Sequence, residues 1–140
     1  MASSPHSHTP VMVNEVMAHL RPEDGGPYWD LTLGAGGHLG AFLERAPKGT
    51  EAFGLDGDPV ALATASHWPA TLLHGDLGNL ANDTSEAQWP RPRAVLIDAG
   101  LSSMQIDDAE RGFSFRQEGP LDMRMDTTRG HTAAEYLNRV

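Results

Sequence analysis

The stretch that decides the fold is Tyr28-Trp29-Asp30-Leu31-Thr32-Leu33-Gly34-Ala35-Gly36-Gly37-His38. An apolar run with an acid near its end breaks here into a glycine-rich turn. Its glycines let a ligand approach the backbone closely, and a helix N-terminus follows at His38. A second acid, Asp56, follows the next apolar run, where nucleotide-binding βαβ units carry a ribose-binding carboxylate. The stretch therefore predicts a strand, a turn and a helix that bind a nucleotide or a nucleoside.

Segments of alternating type flank this stretch, and such an alternation of strands and helices predicts a parallel sheet. Predicted helices cover residues 11–20, 38–46 and 59–66, and Asp58 suits the N-cap position of the third. Predicted strands cover residues 28–33, 51–55, 71–74 and 94–97. The predicted fold class is therefore α/β, with a partial parallel sheet of four strands.

Two segments lack this periodicity. Residues 79–92 are polar and contain prolines, which predicts a connection between strands. Residues 99–130 are rich in Gly, Ser, Asp and Arg, and a structureless loop of that length is usually functional. Thr132-Ala133-Ala134-Glu135 then has the spacing of a capping box and predicts a helix that runs to Val140.

The glycine spacing favours S-adenosylmethionine over a dinucleotide as the ligand. A dinucleotide fingerprint counted from Gly34 needs glycine at its sixth position, which is Leu39 in this chain. The methyltransferase frame acid-x-Gly-x-Gly-x-Gly is filled, with threonine in place of the first glycine, by Asp30, Thr32, Gly34 and Gly36. A tight strand-to-helix turn without a ligand, and an NAD-dependent oxidoreductase, stay as competing interpretations.

Four acids follow the predicted strands, at the edge where open parallel sheets bind ligands. They are Asp30, Asp56, Asp76 and Asp98. A single acid there is commonly a helix cap, but four at one edge indicate hydrogen bonds to a nucleoside ligand. We expect Asp56 to accept from the ribose hydroxyls and Asp76 or a neighbour from the adenine amine. Asp30 or Asp98 is expected to accept from the methionine amino group.

Composition limits the class of protein. The 140 residues, 39% of them hydrophobic, suit one domain with a packed core. A formal net charge of -9 argues against a basic stripe that holds nucleic acid through its phosphates. The absence of cysteine excludes disulfides and thiol catalysis. No run is long and apolar enough for a membrane span, so the protein is predicted to be soluble and cytoplasmic, with its oligomeric state open.

Five of the ten basic residues lie after residue 110, interleaved with acids, and this predicts a solvated ion-pair surface. Phe113 and Phe115 are predicted to anchor their loop in the core. His6 and His8 lie in a predicted flexible tail over residues 1–8, and no metal site is predicted.

Several motifs occur in an order that is more specific than a general fold. They are His8-Thr9-Pro10-Val11, Thr32-Leu33-Gly34-Ala35-Gly36-Gly37-His38, Leu55-Asp56-Gly57-Asp58-Pro59, Ser102-Ser103-Met104-Gln105-Ile106-Asp107, Arg111-Gly112-Phe113-Ser114-Phe115 and Gly119-Pro120-Leu121-Asp122-Met123-Arg124-Met125-Asp126. From His8 onward the chain resembles the ribosomal RNA small subunit methyltransferase H family, also called MraW. The resemblance implies a Rossmann-like S-adenosylmethionine-dependent methyltransferase. It also implies methylation of the exocyclic N4 of a cytosine in the decoding region of 16S rRNA, in the small ribosomal subunit.

The resemblance implies cofactor contacts where this chain matches the family's motifs. These contacts are Gly36, Gly37, His38, Asp56, Asp98 and Gln105. The family carries an aromatic residue after the third strand, where this chain has Leu77, which can pack on adenine without ring stacking. Asp30 and Gly34 of the turn complete the predicted cofactor site.

The resemblance also implies the substrate side. Asp98 is the predicted catalytic residue, which orients the cofactor amine or accepts from the N4 hydrogens. Ser102 and Ser103 are predicted to border the methyl-transfer point, and Arg111 and Arg124 to lie on the RNA side.

Family members are longer than this chain, and the resemblance divides it accordingly. Residues 9–130 are predicted to be the N-terminal part of a methyltransferase domain, and residues 131–140 to start a helix that leads into a helical insertion domain. The later strands of the sheet would then be missing, which leaves the fourth or first strand with an unpaired edge. We therefore expect a fragment or a truncated relative, and a non-catalytic cofactor-binding module is the alternative hypothesis.

Overall fold

A four-stranded parallel sheet forms the centre of the computed structural model, which describes residues 10–140. The strands are β1 (Tyr28–Asp30), β2 (Ala52–Asp56), β3 (Thr71–His74) and β4 (Ala94–Leu96). Their order across the sheet is β3-β2-β1-β4. The chain therefore moves outward from β1 to β3 and then crosses back to pair β4 with the other side of β1. The predicted tail over residues 1–8, with His6 and His8, lies outside the described residues.

Six α-helices connect and flank the strands of the described part of the chain. They are α1 (Val13–Leu20), α2 (Gly37–Arg45), α3 (Pro59–Ala65), α4 (Leu80–Glu86), α5 (Ser103–Asp107) and α6 (Ala133–Leu137). Two short 3-10 turns occupy Pro22–Asp24 and Ala109–Arg111. The predicted N-cap of α3 is confirmed, since the Asp58 side chain accepts from the Val60 N–H at 2.9 Å.

The core lies between the sheet and the helices that precede and follow β1. Tyr28 is fully buried and stacks on Phe42 of α2, with ring centroids 4.0 Å apart. In the sheet, Tyr28 is aligned with Ala52 of β2 and Ala94 of β4, so small residues flank the large ring. The apolar spacing of α2 therefore buries one of its faces against β1.

Two helices lie where the sequence predicted connections. The segment of α4 has a single buried residue, Thr84, and thus lacks the apolar period that marks most helices. In α5 the Ser102 hydroxyl accepts from the Gln105 N–H, and the Gln105 side chain accepts from the Ser102 N–H. The sequence contains this capping-box spacing, but α5 was not predicted because its five residues are too few to show a helical apolar period.

The predicted strand over 28–33 is shorter in the structure. β1 ends at Asp30, but the N–H of Leu31 still donates to Leu96 at 3.0 Å and that of Leu33 to Leu55 at 3.1 Å. These bonds hold the segment after β1 between β4 and β2.

Among residues 10–140, the sheet edges are β3 and β4, while β1 is central. The expectation of an open edge at the fourth strand is confirmed, and the alternative at the first strand is wrong. Val95 and Ile97, in and just after β4, are exposed. Within the described range, each helix is too short or too polar to cross a membrane.

Candidate functional site

A cavity of about 600 Å³ opens at the carboxyl edge of the sheet. Most of its wall is formed by the end of β2 and by the segments that follow the four strands, at residues 31–35, 55–57, 75–77 and 98–105. The strand order reverses between β1 and β4, and open α/β sheets bind ligands at such a switch point. The volume lies within the range of small-molecule and cofactor sites, about 300 to 1,000 Å³.

The three glycines of the turn after β1 are required for three different reasons. Gly34 has a φ of +53° and faces open space at the cavity wall. Gly36 has a φ of +81°, and a Cβ there would lie 2.5 Å from two atoms of the Trp68 indole. A Cβ at Gly37 would lie 2.8 Å from the Pro10 ring. Gly34 and Gly37 line the cavity, whereas Gly36 is explained by its packing against Trp68.

Asp56 joins the glycine turn to the end of β2. One carboxylate oxygen accepts from the Gly34 N–H at 2.8 Å and the other from the Asp58 N–H at 2.8 Å. Burial raises the pKa of Asp56, although these backbone donors lower it in part. Each oxygen keeps a further lone pair, so the carboxylate can still accept from a ligand in the cavity.

The side chains of Asp98 and His38 lie near each other at the cavity wall. The His38 Nε2–H donates to the Val11 carbonyl at 2.9 Å, which leaves Nδ1 facing the Asp98 carboxylate at 3.9 Å. His38 is buried, while the Asp98 side chain is about half exposed and lines the cavity. The Asp98 N–H donates to the Thr32 hydroxyl at 2.7 Å. Thr32, which stands in place of the first glycine of the methyltransferase frame, therefore holds the backbone that follows β4.

Asp30 lies away from the cavity wall. Its carboxylate is buried and accepts from the Thr32 N–H at 3.3 Å and from the Tyr28 hydroxyl at 3.4 Å. Burial raises its pKa to about 6, and the hydrogen bonds and nearby His38 counteract this only in part. This position does not fit the predicted ligand contact, because the side chain points into the protein interior.

The segment around α5 forms the opposite wall. Ser102, Ser103 and Gln105 all line the cavity. Gln105 is buried, and its amide donates to the Asp58 carboxylate at 3.0 Å while its oxygen accepts from the Ser102 N–H at 3.0 Å. Both ends of the side chain are therefore held in place.

The family model of the MraW methylase family matches residues 5–140. The chain belongs to the MraW methylase family. Its fold is accordingly the Rossmann-like α/β fold of S-adenosylmethionine-dependent methyltransferases, represented here by four parallel strands.

Curated relatives carry the name ribosomal RNA small subunit methyltransferase H. The protein of Nitratidesulfovibrio vulgaris strain DP4 is 48% identical over 139 residues, which are 95% of this chain and 43% of that protein. The Sorangium cellulosum protein is 44% identical over 95% of this chain and 44% of its own length. The Idiomarina loihiensis protein is 41% identical over 99% of this chain and 46% of its own length. This MraW chain thus spans less than half the length of the relatives it matches.

Leu77, which the resemblance predicts to pack on adenine, lines the cavity and is exposed. Its neighbour Asp76 also lines the cavity and accepts from Arg129 at 2.9 Å. Both predicted adenine-side residues therefore lie at the wall formed after β3.

The two arginines predicted on the RNA side of this MraW chain lie outside the cavity wall. Arg111 is buried and donates to the Asp58 carboxylate at 2.6 Å, a position that does not fit direct RNA contact. Arg124 donates to both oxygens of Asp122, at 2.8 and 2.7 Å, and its side chain is one-quarter exposed. Arg111 is thus an exception to the predicted solvated ion-pair surface.

Several neighbours of the site were missed from the sequence. Pro10, Val11 and Met125 line the cavity, and Trp68 packs on the turn. Pro10, Val11 and Met125 belong to motifs that carry the resemblance, which is the signal that could have found them, whereas Trp68 lies in none of these motifs. Phe115 is fully exposed, so the predicted core anchor at that position is wrong. Among residues 10–140, no three His, Cys, Asp or Glu side chains form a group able to hold a metal ion.

Proposed function

We propose that this chain is the S-adenosylmethionine-binding part of an enzyme that methylates the N4 of a cytosine in 16S rRNA of the small ribosomal subunit. The observation that carries this proposal is the cavity at the β1–β4 switch point, where the Gly34 turn, Asp56 and Asp98 meet. Membership of the MraW methylase family and the names of the relatives support a methyl-transfer reaction on ribosomal RNA.

The residues of the cavity fit a nucleoside cofactor. Gly34 leaves open space beside the backbone, and Asp56 offers oxygens to the ribose hydroxyls. Asp76 and Leu77 line the wall after β3 and would receive the adenine. Asp98 lines the wall after β4 and would accept from the amino group of the methionine part. His38, Gly37 and Gln105 complete the wall. When bound, the cofactor supplies a methyl group on a positively charged sulfur.

The chain's own contribution to the reaction is placement and proton acceptance. The cytosine N4 must reach the methyl group in line, so the base has to leave its stack and enter beside Ser102 and Ser103. As N4 gains the methyl group it gives up one of its two protons, and the Asp98 carboxylate at the cavity mouth can accept it. No covalent nucleophile is required. Arg124 is proposed as the RNA-side cation.

The same proposal assigns the segments of the chain. We assign residues 9–130 to the N-terminal part of a methyltransferase domain and residues 131–140 to the start of a helical insertion. The helix in this segment, α6, ends at Leu137, so the predicted extension to Val140 is wrong. We also propose a cytoplasmic location, because the proposed substrate is the small ribosomal subunit.

Two measurements test this function. Titration calorimetry with S-adenosylhomocysteine and, separately, with NADH should give heat of binding only for the former. Methyl transfer from tritiated S-adenosylmethionine to 30S subunits that lack the modification should then yield N4-methylcytidine on nucleoside analysis. Binding without transfer would instead support the non-catalytic binding module, and tighter binding of NADH would support an oxidoreductase.

A further inference from the structure

A cluster of buried polar side chains lies directly behind the cavity wall. Asp58, Gln105 and Arg111 are only 2%, 5% and 8% exposed. Arg111 Nη1 donates to Asp58 Oδ2 at 2.6 Å, and Gln105 Nε2 donates to the same oxygen at 3.0 Å. Buried charges need such partners, because an unpaired charge in the interior is strongly unfavourable.

The guanidinium of Arg111 joins its own segment to two others, at Asp58 and at residues 124–125. Besides Asp58, Arg111 Nη2 donates to the carbonyl of Arg124 at 3.1 Å and to that of Met125 at 2.8 Å. The other oxygen of Asp58 caps α3 through the Val60 N–H. Arginine suits this junction since its planar fork donates in several directions at once and stays charged.

Each of the joined segments borders the cavity. Gln105 and Met125 line the wall, and the Asp58 N–H donates to Asp56, which also lines it. Arg111 itself does not line the cavity. Any effect of Arg111 on a bound ligand therefore passes through the residues that it holds.

We propose that Arg111 and Asp58 are positioning residues for the cofactor site, which hold Gln105 and the backbone at 124–125 in the arrangement that binds the ligand. This proposal rests on the proposed function, because it takes the cavity as the site for S-adenosylmethionine. It gives Arg111 a role within the protein in place of the RNA contact that the sequence suggested.

The test compares Arg111→Met and Arg111→Lys by calorimetry with S-adenosylhomocysteine. Arg111→Met should weaken binding by about tenfold, and Arg111→Lys by less, since lysine can pair with Asp58 but cannot also span both carbonyls. Arg111→Lys keeps a buried cation and serves as the test if Arg111→Met does not fold. Arg45→Met is the matched control, because Arg45 bridges α2 to Asn14 of α1 away from the cavity and should leave affinity unchanged.

A double-mutant cycle separates positioning from general destabilisation. If Arg111 acts through Gln105, the affinity loss of Arg111→Lys with Gln105→Ala should be clearly smaller than the product of the two single losses. Multiplicative losses, or binding of both Arg111 variants within twofold of the parent, would overturn the proposal.

Nuclear magnetic resonance of the Gln105 side chain, measured without ligand, tests the positioning role independently of the proposed function. The Gln105 side-chain amide resonances should shift, and their hydrogen exchange should accelerate, in Arg111→Lys but not in Arg45→Met. Absence of S-adenosylhomocysteine binding by the parent would reject the proposed function, and the Gln105 resonances would still decide whether Arg111 holds that side chain. Unchanged Gln105 resonances in Arg111→Lys would overturn the positioning role.

Discussion

At the scale of single residues, Asp30 is a buried acid whose ionisation opposes folding. Its pKa is about 6 in the folded protein, mainly because burial disfavours the charged form. Between pH 4 and pH 6 the unfolded chain loses this proton while the folded protein keeps it. The free energy of unfolding therefore falls as pH rises through that window, by about 3 kcal/mol in total.

We expect Asp30→Asn to remove this pH dependence. The difference in unfolding free energy between the variant and the parent, set to zero at pH 4, should grow in favour of the variant up to pH 7. Urea titrations at pH 4, 5, 6 and 7 measure it. Asp107→Asn, at an exposed acid, is the control. Parallel profiles for Asp30→Asn and the parent would show that Asp30 ionises normally.

Asp56 combines a ligand role with a structural one. We expect Asp56→Ala to weaken S-adenosylhomocysteine binding by about 1 to 3 kcal/mol, through loss of charge-assisted hydrogen bonds. It should also lower thermal stability, since the Gly34 and Asp58 N–H groups lose their acceptor. Calorimetry and thermal unfolding measure the two effects, with exposed Glu44→Ala as the control. An unchanged affinity would remove Asp56 from the site.

At the scale of elements, the packing of Trp68 on α2 opposes ordinary helix propensity. Alanine is favoured over glycine inside a helix by about 1 kcal/mol, so Gly40→Ala in isolation should stabilise α2. A Cβ at Gly40 would however overlap the Trp68 ring. We expect Gly40→Ala to lower the free energy of unfolding by about 1 to 3 kcal/mol.

Urea unfolding of Gly40→Ala, Trp68→Ala and the double variant measures this effect. The double variant should be less destabilised than the sum of the single changes, because the overlap disappears with the indole. Stabilisation by Gly40→Ala alone would show that α2 and Trp68 move apart at little cost.

The loop that follows Arg111 contacts β3 through the polar side chains around Asp126. Asp126 lies 3.0 Å from His74 and 2.7 Å from Arg129, and Arg129 also reaches Asp76 at the cavity wall. Burial opposes the charged form of Asp126, but hydrogen bonds from Thr128 and Arg129, together with the nearby His74, outweigh it and lower its pKa to about 2.

Stabilisation by Asp126 should therefore be complete above pH 4 and be lost as pH falls toward 2. We expect Asp126→Asn to lower the unfolding temperature at pH 7 and to do so by less at pH 3. Thermal unfolding followed by circular dichroism at both pH values measures this. An equal effect at the two pH values would mean that the carboxylate charge contributes nothing.

At the scale of the whole molecule, β4 is an edge strand with exposed apolar residues in a chain that covers less than half of its relatives' length. Such edges promote association between chains. We expect Val95→Lys to reduce self-association of the 140-residue chain, measured by sedimentation velocity over a concentration series. Val60→Lys, at an exposed valine of α3, is the matched control and should have little effect. Equal association in both variants would locate the contact elsewhere.

Much of the fold could be predicted because its signals are local. The apolar run before Gly34, the cap at Asp58 and the acids at the strand ends each reflect neighbours within a few residues, and the α/β class and four strands follow from them. The helix α4 was missed, since a helix that buries only Thr84 leaves no apolar period. The exposure of Phe115 could not be predicted either, because the type of a loop residue does not determine whether its side chain packs on the core.

The sequence alone determined the α/β fold, the glycine turn and the edge of the sheet at which a ligand would bind, because backbone periodicity and turn chemistry are short-range properties. Only the tertiary structure decided which way the side chains at that edge point. It placed Asp30 in the interior, Trp68 against Gly36, and Arg111 on Asp58, 53 residues away along the chain. Such contacts depend on how separate segments pack, and a buried charge selects its partner by proximity in space and not by spacing in the sequence.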